Sequence, residues 1–245
     1  MIHYHGTPLG GKAHERPQFF KSRHALVSFF RPDDIALVAA ECKSFVLDNG
    51  AFSHWKAGKG EIDFEAYAQW VSEYAAHPNF DWCLIPDKID GDEKENLELI
   101  HKWVKRGYRA KGIPIWHLHE SLEYLDYLVS NFEWVAFGSS GDYKTPNSKI
   151  WWCRMNQALK IACDSNGRPR CKFHGLRMLN PAVFTKIPFS SADSTNAAVN
   201  SGSIERFGTY KPPTRAQRAA VIADRIEGFN SAIFWEHKEQ ILLAI

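Results

Sequence analysis

The sequence predicts an α/β fold, a parallel-stranded barrel of the TIM type, (β/α)8, formed by residues 1–245 as one domain. Three observations predict it. Short apolar runs alternate with stretches of helical periodicity seven or eight times, too many units for a small open sheet. Six of those runs stop at a polar or glycine residue able to do chemistry: Asp48 (SFVLDNGAF), Asp87 (WCLIPDKID), His117 (IPIWHLHE), Gly138 (WVAFGSSG), His174 (KFHGLRML) and Asp193 (PFSSADSTN). A chain of 245 residues that is 44% hydrophobic and 24% charged can bury one core of barrel size. In such folds the strand C-termini share one rim, so residues distant in sequence meet in one site. That pattern points to an enzyme.

Taken in order, residues 1–23 are rich in Gly, Pro and His and read as an irregular loop. HALVSF (24–29) is the first strand, followed by a helix beginning near Pro32-Asp33. SFVLD (44–48) is the second. Asp63 then caps a helix whose Phe64, Tyr67, Trp70, Val71 and Tyr74 share one face. DWCLIPD is the third strand, with KENLELIHKWVKRG as its amphipathic helix closed by Gly107. GIPIWHLH and SLEYLDYLVSNF form the fourth strand and helix; WVAFG and a helix from about Ile150 to Cys163 form the fifth pair. RCKFHG is the sixth strand, LNPAVFTKI a short helix and PFSSAD the seventh strand. A weak eighth strand falls at Glu205–Thr209, and Thr214 caps a long last helix ending in ILLAI.

Composition excludes several classes. A formal net charge of +2 leaves nucleic-acid contacts to local patches, such as Lys12, Arg16, Lys21 and Arg23, the 102–111 stretch, or the 168–172 stretch. Five dispersed cysteines without a C-x-x-C pair predict reduced thiols in a cytosolic protein rather than a disulfide frame or zinc knuckle. The opening MIHYHGTPLGGK lacks the apolar stretch of a secretory signal, and no run reaches the length of a membrane span. The nine tryptophans suit either a core or an aromatic mouth for stacking bases.

Gly6, Gly11 and Lys12 match half of a phosphate loop, but Ala13 replaces the magnesium-binding hydroxyl, which discards a nucleotide triphosphate; HGTPLGG retains amides able to cradle a phosphate. Asp48 runs from a strand into Asn-Gly and, alone, reads as an Asx turn; Asp193 alone reads as a helix cap. At strand tips, however, two carboxylates can supply a nucleophile and an acid/base. Asp87 is a third such carboxylate, while Asp90 and Asp92 suit solvent or capping. His117 and His119, two apart, share a strand face and have metal-ligand spacing that His174 and Asp193 could complete, which keeps a metal-dependent hydrolase open. Hydrogen bonding to a base or phosphate is the preferred role for the pair. Gly138, Ser139 and Ser140 can bring amides to a flat ligand, Phe52 and Trp116 can sandwich it, and Trp151-Trp152 fits core or platform.

In order and spacing, four motifs between Ser44 and Asn196 resemble the tRNA-guanine transglycosylase superfamily, and more closely its short phage and bacterial relatives linked to 7-deazaguanine modification of DNA. D-N-G-A-F (48–52) resembles the family's Asp-Ser-Gly-Gly/Ala-Phe segment, which implies that Asp48 is the acid/base. Ile85-Pro86-Asp87 is similar to the base-recognition segment, H-G-L-R-M (174–178) to the glycine-containing strand before the nucleophile, and S-S-A-D-S (190–194) to the nucleophile segment, which implies Asp193. The tRNA enzymes' C-x-C-x-x-C…H zinc site has no counterpart, their Gly-Gly-Leu cradle is Gly138-Ser139-Ser140, and W-H-L-H-E (116–120) has no match. The resemblance implies cleavage of an N-glycosidic bond, on DNA in preference to tRNA and without a cofactor. The outcome is excision, which suits phage defence, or base exchange.

Overall fold

The computed structural model describes residues 1–107, 111–203, 207–208 and 210–236. The first strand, β1 (Ile2–Gly6), lies where the sequence predicts only loop; it is followed by α1 (Arg16–Phe20). Tyr4 supplies the reason, since it fills the barrel centre and makes an isolated short strand worth pairing on both sides. The chain continues through β2 (His24–Ser28), α2 (Ile35–Glu41), β3 (Ser44–Asp48), α3 (Ala51–Lys56), α4 (Phe64–Tyr74), β4 (Phe80–Leu84) and α5 (Glu93–Lys105). The predicted fourth strand is split by Pro114, which has no N–H to donate, into β5 (Gly112–Ile113) and β6 (Ile115–His117). After it come α6 (Leu122–Asn131), β7 (Trp134–Gly138), α7 (Lys149–Ala162), β8 (Lys172–Gly175), α8 (Pro181–Phe184), β9 (Ser191–Ser194), α9 (Asn196–Asn200) and α10 (Arg215–Glu227).

Every strand pair is parallel, in the order β5-β4-β3-β2-β1-β9-β8-β7-β6. The two ends of that order are joined through Pro114 alone, whose carbonyl accepts from Ala136 at 2.9 Å, so the sheet curls into a barrel of eight strand positions. The eighth position belongs to β1; of the predicted 205–209 strand, residues 205, 206 and 209 lie outside the described residues. The last helix stops at Glu227, short of ILLAI, which also lies outside them.

Alternate side chains divide two cores. Tyr4, Leu26, Val46, Trp82, Leu84, Ile113, Ile115 and Ala136 fill the lumen. Val27, Phe45, Leu47, Cys83, Val135, Phe137 and Phe173 face the helices. Toward the strand N-termini the lumen is closed by polar pairing: the Tyr4 hydroxyl donates to Asp81 at 2.6 Å, and Ser44 joins the same carboxylate. Asp63 caps α4 as predicted and Asp92 completes a capping box with Glu95, while Ser121 also accepts a first-turn N–H at the start of α6. All five cysteines are free. Among the described residues no helix is long and apolar enough to cross a membrane.

Candidate active site at the barrel rim

The C-terminal ends of β3, β4, β6, β8 and β9 carry the candidate side chains to one rim. Beyond Asp48 the chain turns into α3 within two residues. Gly50 has a φ of 76°, and a Cβ on it would meet the Phe30 nitrogen at 2.8 Å, so both conformation and space demand glycine. The Asx turn is present, because Gly50 N–H donates to Asp48 Oδ2 at 3.2 Å. It does not exhaust the carboxylate, which stays partly accessible at the mouth and pairs with Ser28, its register neighbour on β2. Burial pushes Asp48 up to about 7; the charges of Asp193 and Asp87 add to the rise, against the opposing bonds from Ser28 and Gly50. Asp87 and Asp193, from two other strand ends, thus lie within electrostatic reach of Asp48.

Asp193 does not cap a helix; Thr195 occupies the cap position of α9. Its Oδ1 accepts from Arg177 N–H at 2.9 Å and meets His174 Nε2 at 3.2 Å. His174 Nδ1 in turn meets Ser191 Oγ at 2.8 Å. Arg177 holds a left-handed φ of 58°, uncommon for a side-chain-bearing residue, at the point where its N–H reaches Asp193. Its guanidinium lies 4.7 Å over the Phe52 ring, at the first turn of α3, which joins the β8 loop to the β3 loop across the mouth.

Asp87 is gripped from two sides. Asn49 Nδ2 donates to Oδ1 at 2.7 Å, and His117 Nε2 meets Oδ2 at 2.7 Å. Glu120 accepts from His117 N–H at 2.6 Å and from Asn96 at 3.0 Å. Burial pulls the His117 imidazole down, but Asp87's hydrogen bond and charge, with Glu120's charge, outweigh it, so the ring titrates above its usual range. Burial raises Glu120 against the opposing pull of His117. His119 stacks on His117, with centroids 5.8 Å apart, and bonds Ser140 Oγ at 2.7 Å; burial, then the His117 charge, lower it.

Four predicted binding residues are placed differently from expectation. Trp116 is fully buried among the helices, its indole donating to Ser121 O at 3.0 Å, because its position on β6 points outward while its neighbour His117 points in. It cannot sandwich a ligand at the rim. Ser139 also turns outward, accepting from the indole of Trp151 at 2.9 Å, and Trp151 is core. His174 has no exposed surface and acts on Asp193 rather than on a ligand. Gly138 makes room for a side chain, since a Cβ there would come within 2.9 Å of His117 Nδ1. Phe52, His119 and Ser140 do lie at the mouth. Sequence reasoning missed Asn49, Ser28, Glu120 and Arg177. Asn49, Glu120 and Arg177 lay inside segments already singled out (48–52, 116–120 and 174–178), which was the signal available; Ser28 had none.

Among the described residues no group of three or more His, Cys, Asp or Glu is arranged to hold an ion, so the H-x-H pair gains no third ligand from His174 or Asp193. Two depressions lie away from these carboxylates. One of about 620 Å3, lined by Asn131, Glu133, Arg170 and Lys172, opens where strands begin, and one of about 300 Å3 lies beside α10.

Solved structures place the architecture in a known class. A proposed fructose-1,6-biphosphate aldolase from Coccidioides immitis superposes with a TM-score of 0.59 at 13% identity, covering 92% of this chain and 91% of that one. A tryptophan synthase complex from Pyrococcus furiosus gives 0.53 at 11% identity over 93% and 97%, and a second structure of that complex gives 0.50 at 12% over 93% and 96%. The chain is a TIM-type α/β barrel. Identities this low concern the fold and not the chemistry. No protein-family model and no curated protein sequence matches the chain.

Proposed function

We propose that this protein is an enzyme that breaks the N-glycosidic bond of a modified nucleotide in DNA, with Asp48 and Asp193 as the reacting carboxylates. The observation that carries the reading is the unlike setting of these two groups at one mouth. Asp48, pushed up to about 7, can hold a proton near neutral pH and give it to a departing base. Asp193 is oriented by a backbone N–H and an imidazole, so that it can face C1′ and stabilise or capture the positive centre that develops there. The Asp87–His117 pair offers an acceptor and a donor to the base edge, held in place by Asn49 and Glu120. A base reaches such a rim only out of its stack. Water entering afterwards leaves an abasic site; a second base entering gives exchange.

The test is incubation with modified and unmodified phage DNA, with mass spectrometry for freed base and alkali for abasic sites. Asp193→Asn should lower base release by about 10³-fold or more while DNA binding persists. Turnover undiminished in that variant would refute the assignment.

A further inference from the structure

We propose that the outer face of α3 stacks an unpaired nucleobase beside the reacting nucleotide, so that the polynucleotide is engaged as a locally single strand; this deepens the glycosyl-bond reading and rests on it. Four observations meet here. Trp55 presents half of its surface to solvent (49%) one turn beyond Phe52, with ring centroids 5.9 Å apart. Arg177 lies over one face of the ring of Phe52, which is 36% exposed, so Trp55 is the more open aromatic of the pair. On the other side, Lys59 Nζ lies 4.8 Å over Phe30, and Phe30 meets His54 edge-on at 5.1 Å. The whole group is attached to the reacting carboxylate through the Asp48-Asn49-Gly50 turn, so a base on Trp55 is a near neighbour of one at Asp48.

Charge selects the occupant. Among the described residues Lys56, Lys59 and Arg177 make no ion pair, whereas nearby Lys88 is closed by Glu61 and Glu95, both at 2.9 Å. Open cations interleaved with an exposed indole suit a strand with phosphates outside and bases to stack, and a fully paired duplex offers no free base face. An acidic peptide would use the cations and leave the indole idle. Beside Lys59, Gly58 and Gly60 adopt φ of 65° and 77° with open space around them, so no side chain obstructs the approach.

The experiment measures binding by fluorescence anisotropy to a labelled strand of about 12 nucleotides, a length that spans such a platform. The DNA strand, the same sequence as RNA and the DNA duplex are compared on Asp193→Asn protein, so that no probe is consumed. The single strand should bind tighter than the duplex. Adding Trp55→Ala should weaken strand binding about tenfold, with Trp55→Phe retaining most of it. Lys59→Gln should reduce the slope of log affinity against log salt by about one. Equal binding by Trp55→Ala and its parent, at matched melting temperature, or no preference over duplex, overturns the proposal. Base release measured separately on unmodified Asp193 protein keeps the two readings apart. Strand binding that needs Trp55 without any base release refutes the glycosyl-bond reading alone, and release with an unaffected Trp55→Ala refutes stacking alone. Tighter binding of RNA supports stacking and overturns DNA as the substrate.

Discussion

At the residue scale the decisive group is Asp48. Its carboxyl titrates at about 7 in the folded chain against an ordinary 3.8, chiefly through burial. A neutral acid donates, so base release should fall as pH rises through about 7, and that limb should vanish from the profile of Asp48→Asn. Linkage gives a second readout. Between pH 4 and 7 the folded state holds a proton that the unfolded chain has lost, so stability declines with rising pH across that window. Asp48→Asn should therefore match the parent near pH 4 and exceed it at pH 8 by on the order of 2 kcal/mol, by thermal or urea unfolding. Gly138 belongs to the same scale. Gly138→Ala sets a methyl 2.9 Å from His117 Nδ1, and should cost about 1–2 kcal/mol of stability while lowering kcat/KM for base release about tenfold as the imidazole leaves Asp87. The positions of Asp48, Asp87 and Asp193 at the strand tips were legible in the sequence. Their partners were not, because Ser28 lies in no motif, Glu120 and Arg177 sit inside quoted segments without any signal of their contacts, and all three become neighbours only through strand register and a left-handed turn.

At the element scale, two-residue alternation assigns each side chain to the lumen or the helix layer, and a strand that is apolar throughout hides that phase. β6 is only three residues long and buried throughout, so Trp116 reads as a mouth residue although it alternates with His117. Its burial against α6 and Phe137, 5.5 Å away, fixes it as core. Trp116→Ala should lower stability by about 3–5 kcal/mol in urea unfolding, and at a temperature where the variant remains folded its KM should stay near that of the parent. Helices were the more legible elements. Asp63, Asp92, Ser121 and Thr214 each announce a start by the chemistry of the first turn, and each cap is present.

At the scale of the whole molecule, closure decides the architecture. β1 pairs with β2 on one side and β9 on the other, and Tyr4 reaches from it to Asp81 near the N-terminal end of β4. Removing residues 1–6 should open the barrel and leave a chain without cooperative unfolding, read by circular dichroism and size-exclusion chromatography; a cooperative, monodisperse truncation would contradict that account. The same closure brings β3, β4 and β9 to one mouth, so the charge of Asp193, 145 residues further along the chain, helps to raise Asp48.

By itself the amino-acid order determined which segments become strands and helices across the middle of the chain, and that polar residues end the strands. Both are local, since periodicity, caps and turn residues act within a few positions. Only the tertiary structure decided that the Gly- and Pro-rich beginning contributes a central strand, that Trp116 and Ser139 turn away from the mouth while His174 is buried beneath Asp193, and that Asp48 titrates near neutrality. Those outcomes depend on which strand lies beside which, on lumen volume and on excluded water, none of which a neighbour in sequence can specify.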